Sequence, residues 1–402
     1  MATEATLTAA PLPDREAAPL SERLESIGIV SLFGVAALVQ FSIAASQLLL
    51  AVAIVCWAGV LATRHERVQA PRFFWLLLAY AAATLVSAVF SSSPRISIGD
   101  SKQLVLFLIV PVVFRFISSR RALLLLTVVM SLAAVSAALG IFQYGLLHYD
   151  QLSQRIAGTV GHYMTYSGLL MLGVGIAIAK ILFGPGDRLW AALVMPALVM
   201  AVMLSSTRTA WVGVFTGAAL LLMLKDFRLL ALLPVAAAVA VAAGGPAVTE
   251  RLLSTFDSTN ATRIDRIAML REGGRMIRAY PLVGVGPDMV KERYAEFRGP
   301  DAVNAVNSHL HNVPVQIAAE RGVPALLLWL GCLTVLAVDL ANGFRRRLEH
   351  RVVYATALAA LTSMLAAGMF EYNFGDSEFL MLFLLLVTLP FAATRPTADA
   401  RA

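Results

Sequence analysis

The chain has 402 residues, 59% of them hydrophobic and only 14% charged, with a mean hydropathy of +0.76. Soluble chains average about 45–50% apolar and about 25% charged residues. Too few polar residues remain here to cover a water-exposed surface, which excludes a soluble enzyme, a disordered protein and a nucleic-acid binder. The net charge of +7 is therefore read by membrane side rather than as a basic face.

Residues 1–26 are rich in Ala, Pro and Glu and lack a basic start with a cleavage site. They read as a disordered tail rather than a signal peptide. A helix crossing the bilayer core needs about 20 mostly apolar residues. The run 27–63 is too long for one crossing and divides at the polar Gln40-Phe41-Ser42 patch. Further crossings are predicted at 73–90, 104–117, 122–143, 165–183, 189–205, 210–224 and 229–247. The last three lie at 323–340, 352–370 and 379–392. The fold class is an all-α polytopic membrane protein of about twelve transmembrane helices. Nine lie in 27–247, a long loop spans 248–312, a helix start and three crossings fill 313–393, and 394–402 is a tail. Cys56 and Cys332 sit in apolar runs and act as small hydrophobes.

Arginine and lysine mark one side. Arg64, Arg67 and Arg72 share a loop; Arg115, Arg120 and Arg121 share the next on that side. Lys180 and Arg188, Lys225 and Arg228, and Arg345, Arg346, Arg347 and Arg351 follow. All fall with the termini, which are thus predicted to be cytoplasmic. The loop 248–312 lies opposite and carries eight arginines to one lysine. A planar guanidinium fork suits phosphate oxygens, so this cluster points to an anionic ligand. The competing reading pairs these arginines with Glu250, Asp257, Asp265, Glu272 and Glu292. Within the loop, 263–280 reads as a helix with Arg271, Arg275 and Arg278 on one face, and Pro281-Leu-Val-Gly-Val-Gly286 as a turn. A second short helix opens at Pro287-Asp288.

Arg208, in Ser205-Ser-Thr-Arg-Thr-Ala-Trp211, lies where two crossings meet with almost no loop. An arginine so near hydrocarbon is costly and points to function. Arg155-Ile-Ala-Gly-Thr-Val-Gly-His162 adds a cation and a histidine on the same side. His309 and His311 precede Asn312 and Pro314, an N-cap and first-turn pair, so His311 stands at a helix start. A neutral imidazole beside bound phosphate would act as a general base near pH 7. His309 and His311 resemble a metal pair, but no carboxylate nearby in sequence completes it, and the acids Asp100, Asp150, Glu371, Asp376 and Glu378 look scattered. No metal and no cofactor is expected. The crossings lack the midplane charges of a coupled ion transporter.

These motifs together resemble the O-antigen ligase/polymerase superfamily of bacterial inner membranes. Arg155 to Gly161 is similar to its arginine-x-x-glycine-threonine segment, and Ser205 to Trp211 to its serine-x-x-arginine crossing end. Arg266 lies fifteen residues before the Pro281 to Gly286 turn, as does the family's loop arginine. His311-Asn312, nine residues and Gly322 resemble its His-Asn-x9-Gly-x-x-Gly signature, with Ala325 in place of the last glycine. The resemblance implies a membrane glycosyltransferase of GT-C-like fold, metal-independent and inverting. Its donor would be a glycan on undecaprenyl pyrophosphate and, for a ligase, its acceptor a sugar hydroxyl of lipid A-core. His311 would be the base, with Arg208 and Arg266 binding pyrophosphate. Arg263, Arg155, His162, His309 and Asn312 would line the substrate site. An O-antigen polymerase of the same superfamily is the alternative, and a lipid-linked glycan transporter the alternative from another class.

Overall fold

The computed structural model describes residues 19–151, 153–254, 261–300 and 302–395. Every predicted crossing is helical. Helices α1 (Leu20–Leu38), α2 (Ile43–Arg64) and α3 (Arg72–Val89) open the bundle. Next come α4 (Pro94–Asp100), a 3-10 segment at Ser101–Leu108, and α5 (Ile109–Phe116). These three pieces form one crossing, so the short predicted 104–117 segment extends ten residues further back. Then follow α6 (Ser119–Leu147), α7 (Tyr163–Phe183), α8 (Arg188–Leu204), α9 (Arg208–Lys225) and α10 (Leu232–Leu253). The predicted loop yields α11 (Ala261–Ala279) and α12 (Met289–Phe297). The chain closes with α13 (Val313–Arg346), α14 (Arg351–Gly368) and α15 (Ser377–Ala393). A two-residue strand pair, Asp150–Gln151 with Gln154–Arg155, is the sole sheet among the described residues.

Nine of these segments are long and apolar enough to cross a membrane, and α8 and α15 are shorter apolar helices. The molecule is an all-α polytopic membrane protein. Two boundaries move from expectation. Helix α1 starts at Leu20, so the tail ends earlier than 26; residues 1–18 lie outside the described residues. Helix α10 runs on to Leu253, past the predicted loop start at 248, after a break where Gly245 takes φ +70° ahead of Pro246.

The most enclosed helices are α7, α14 and α15. Small residues bring α9 against α14: a Cβ on Gly213 would lie 3.1 Å from Ser363 O, and Ser363 Oγ donates to Gly213 O at 2.8 Å. This is how helices associate where hydrophobic burial gives no gain.

The two ends of the bundle are chemically distinct. At the end that carries Arg64, Arg115 and Arg346, Arg115 Nε donates to Glu66 at 2.6 Å, Arg395 Nη1 donates to Phe114 O at 2.9 Å, and Ser119 meets His350 at 2.9 Å. At the other end, Gln103 Nε2 donates to Gly375 O at 2.6 Å and Thr165 donates to Asp376. Both buried cysteines are shielded from reagents, which allows a clean labelling test of side. In the otherwise native chain, Ser254→Cys should react with an impermeant maleimide added from outside, and Arg346→Cys should not. Reaction of both would overturn the topology.

Candidate active site

Five arginines converge where α9, α10 and α11 meet the segment before α7. Arg208 opens α9 and its guanidinium reaches the end of α10. Its Nε donates to Arg251 O at 3.2 Å and its Nη2 to Ser254 Oγ. Arg251 Nε in turn donates to Ser206 O at 3.3 Å. Arg155 stacks on the Tyr163 ring with 4.4 Å to its centroid. Burial, with the nearby charges of Arg208 and Arg155, lowers the Arg251 guanidinium to about 10, so it still carries charge at neutral pH.

Arg208, Arg263, Arg266 and His311 line a cavity of about 390 Å³ whose other walls are largely apolar, including Ile267, Leu270, Met369 and Phe370. A second cavity of about 290 Å³ adjoins it through Arg266 and His311 and adds Arg155 and Arg251. Among the described residues, Arg155, Arg208, Arg263 and Arg266 make no ion pair. The acids that might have paired with them are used elsewhere. Asp265 accepts from the backbone of Val303 and Asn304 at 3.1 Å and from both amide side chains of Asn304 and Asn307. Glu272 accepts from Gly299 N at 3.2 Å and lies 4.0 Å from Arg275. Uncompensated cations in a recess are an anion site.

His311 lines both cavities, with the His309 ring 4.2 Å from its own. Asn312 caps α13, accepting from Val315 N at 3.0 Å, and His311 precedes it with φ +48°. Glu371, 9% exposed in the turn after α14, bridges both rings. His311 Nδ1 meets its two oxygens at 3.1 and 3.0 Å, and His309 Nε2 meets Oε1 at 3.1 Å. Burial pushes the Glu371 carboxyl up, but its bonds to His309 and His311 outweigh this and hold it well below the usual carboxylate range. An ionised carboxylate only accepts, so His311 carries a proton on Nδ1, and in a neutral ring Nε2 is then the acceptor nitrogen.

A backbone junction positions that wall. In a regular α13, Ala319 O and Glu320 O would bond the amides of residues 323 and 324. Pro324 has no N–H, and Gly322, at φ +84°, breaks the helix. The Pro281–Gly286 turn fills the gap: Val285 N donates to Ala319 O and Gly286 N to Glu320 O, both at 2.9 Å, while Val323 N donates to Pro281 O at 2.8 Å. A Cβ at Gly322 would lie 2.2 Å from Leu282 O, and one at Gly284 2.2 Å from the Glu320 backbone. Glycine is required at both points.

The family model described as Wzy_C, O-Antigen ligase, matches residues 191–330. The match supports an O-antigen ligase/polymerase superfamily member. It runs from α8 into α13 and so contains Arg208, Arg263, Arg266, His309, His311 and the turn. No curated protein matches the chain.

Against this superfamily background, most of the sequence-derived site residues come together. Arg208, Arg263, Arg266 and His311 share the first cavity, and Arg155 joins through the second. His162 does not join the arginines: it contacts Thr165 at 3.3 Å and lines a separate cavity with His309. Two participants were missed. Arg251 was one cation among many in the loop, and nothing in its local sequence separates it from Arg271 or Arg278. Glu371 is sixty residues from His311, so no local pattern links them. Two expectations are corrected here. The histidine pair does have a carboxylate partner: His309, His311 and Glu371 offer donor atoms within 4.8 Å of one another, a set that could hold a metal. Three of the five outer acids are not scattered: Asp100, Glu371 and Asp376 line one cavity with Asp288 and Glu320, whereas Asp150 and Glu378 are not in that lining.

Glu371→Gln isolates the carboxylate's charge at nearly constant shape. Its folded-state acidity is strengthened, so its contribution to stability is complete above the ordinary carboxyl value of 4.5 and is lost as pH falls toward the lowered one. Thermal unfolding in detergent should show wild type ahead of the variant at pH 7, with the margin shrinking below pH 4.5. A margin independent of pH would refute the ionised bridge.

Proposed function

We propose that this protein is an O-antigen ligase of a bacterial inner membrane. It transfers a glycan from undecaprenyl pyrophosphate to a sugar hydroxyl of lipid A-core at the periplasmic face, with inversion and without a metal. One observation carries this reading. His311, its Nδ1 proton fixed by Glu371, lines the same cavity as three arginines that lack acidic partners.

The chemistry follows from the charges. The donor already carries a good leaving group, so the protein must hold a pyrophosphate and activate a hydroxyl. His311 Nε2 takes the acceptor's proton as the hydroxyl oxygen bonds to the anomeric carbon. On the opposite face the bond from that carbon to phosphate oxygen breaks, and its electron pair leaves with the pyrophosphate. Arg208 and Arg266 neutralise the charge that develops there, with Arg263, Arg155 and Arg251 completing the field. Glu371 stabilises the imidazolium and fixes its orientation. The apolar walls near Ile267, Leu270 and Phe370 suit the first isoprene units. In this reading residues 248–312 form the periplasmic catalytic loop, and the crossings in 27–247 and 313–393 are its membrane scaffold.

A divalent cation at His309, His311 and Glu371 would sit beside several unpaired guanidinium groups, and like charge disfavours it. Activity of the purified enzyme should therefore survive excess chelator; loss restored by magnesium or manganese would assign that trio to a metal.

Substitutions test the assigned roles in a deletion strain expressing each variant at equal level. Arg208→Lys should stay impaired, because a point charge lacks the bidentate fork, at a cost of about 2–4 kcal/mol of transition-state stabilisation. His311→Ala should lose about a hundred- to ten-thousand-fold in transfer, with donor binding kept, and His309→Ala should be milder. Lipopolysaccharide banding reads the result. Loss of all long chains with lipid-linked polymer accumulating supports a ligase, and core capped by a single unit would identify a polymerase. Normal transfer by His311→Ala would reject the base.

A further inference from the structure

Beyond the histidine pair lies a different cavity, of about 320 Å³, which shares His309 and Glu371 with the catalytic wall. No arginine or lysine is among its lining residues, whereas Asp100, Asp288, Glu320 and Asp376 are. The two recesses that meet at Glu371 thus have opposite electrostatic character, one cationic and one acidic. That partition bears on how two substrates are kept apart.

We infer that the acidic cavity is the subsite for the acceptor saccharide, and that it accepts uncharged sugar rings while rejecting rings that carry phosphate or carboxylate groups. The inference rests on the ligase reading and adds to it the chemical class selected at the acceptor position. The volume falls within the roughly 300–1,000 Å³ of small-molecule sites. A sugar ring presents hydroxyl donors around its edge and C–H groups on its faces. Carboxylates are acceptors only, and hydroxyl-to-carboxylate bonds are among the stronger neutral-to-charged pairs. Gln103 and Thr165 add an amide and a hydroxyl. Tyr372 supplies ring surface for the C–H faces.

Asp376 is fixed in place by capping α15, accepting from Phe379 N at 2.9 Å, and by the Thr165 hydroxyl. Arg321 is bound to Glu320 at 2.6 Å and lies 4.0 Å from Asp100. An anionic substituent would meet the carboxylates of a lining that includes no arginine or lysine, which is selection by repulsion. The same repulsion keeps the donor pyrophosphate out and directs it to the arginines. An acceptor hydroxyl at the His309 end of the cavity would be next to the shared carboxylate and His311.

The test measures binding without donor, so it does not depend on turnover. Purified full-length protein in detergent with chelator present is titrated with fluorescent core oligosaccharide, either native and phosphorylated or enzymatically dephosphorylated. The dephosphorylated form should bind wild type at least about tenfold more tightly than the phosphorylated form. Asp100→Asn with Asp288→Asn should weaken the dephosphorylated form about tenfold, and Asp288→Lys should narrow the difference between the two forms. If the double variant does not purify as a single species, Asp100→Asn and Gln103→Ala, made singly, take its place. Equal binding of both forms, binding unaffected by every variant, or saturable magnesium binding lost in the double variant would overturn the inference. Wild type that ligates in cells while these acid variants bind normally defeats this inference alone. Wild type that binds oligosaccharide but never modifies lipid A-core defeats the ligase reading instead.

Discussion

Glu371 is nearly buried at the end of a membrane bundle, where a lone carboxylate would cost several kcal/mol. It stays ionised because two imidazoles and the Tyr372 amide, at 3.0 Å, direct hydrogen atoms at it. That arrangement constrains much around it. It fixes the tautomer of His311, sets the 4.2 Å spacing of the two rings, and ties the turn after α14 to the start of α13. Glu371 lines both the acidic cavity and a small recess that carries Arg155, Arg208, Arg251 and Arg266.

The charge separation has a structural origin. Helix α11 sends Asp265 and Glu272 inward to hold Gly299, Val303 and Asn304, which leaves Arg263 and Arg266 without acidic partners. On the opposite side α4, the turn before α12, the first part of α13 and the start of α15 each deliver one carboxylate. In a medium of low dielectric such fields are strong, and two polar substrates of unlike charge can be held a short distance apart without exchanging places.

The junction between the Pro281–Gly286 turn and the break in α13 links this electrostatic arrangement to the backbone. Pro324 and Gly322 interrupt a helix and expose carbonyls that must find donors in a water-poor place. The turn supplies those donors, so the α11–α12 unit cannot shift without breaking them. The arginines of α11 and the histidines before α13 are thus held in register by main-chain bonds together with the packing of Met269 and Met276 against Leu310.

The sequence alone determined the membrane character, the helical segments and the chemistry available on one side. Hydrophobic runs of sufficient length must be helical in lipid, and an arginine such as Arg208 at a crossing's end is conspicuous because its placement is costly. The N-cap at Asn312 and the turn glycines were also legible, since caps and positive-φ positions depend on immediate neighbours. The pairing of His311 with Glu371, the choice of Arg251 over other loop arginines and the gathering of five carboxylates in one cavity were not. Those depend on which helix ends meet, and contacts between residues sixty or more positions apart leave no periodic or local trace. The tertiary structure decided them, because only packing of α13, α14 and α15 brings the distant side chains within hydrogen-bonding distance.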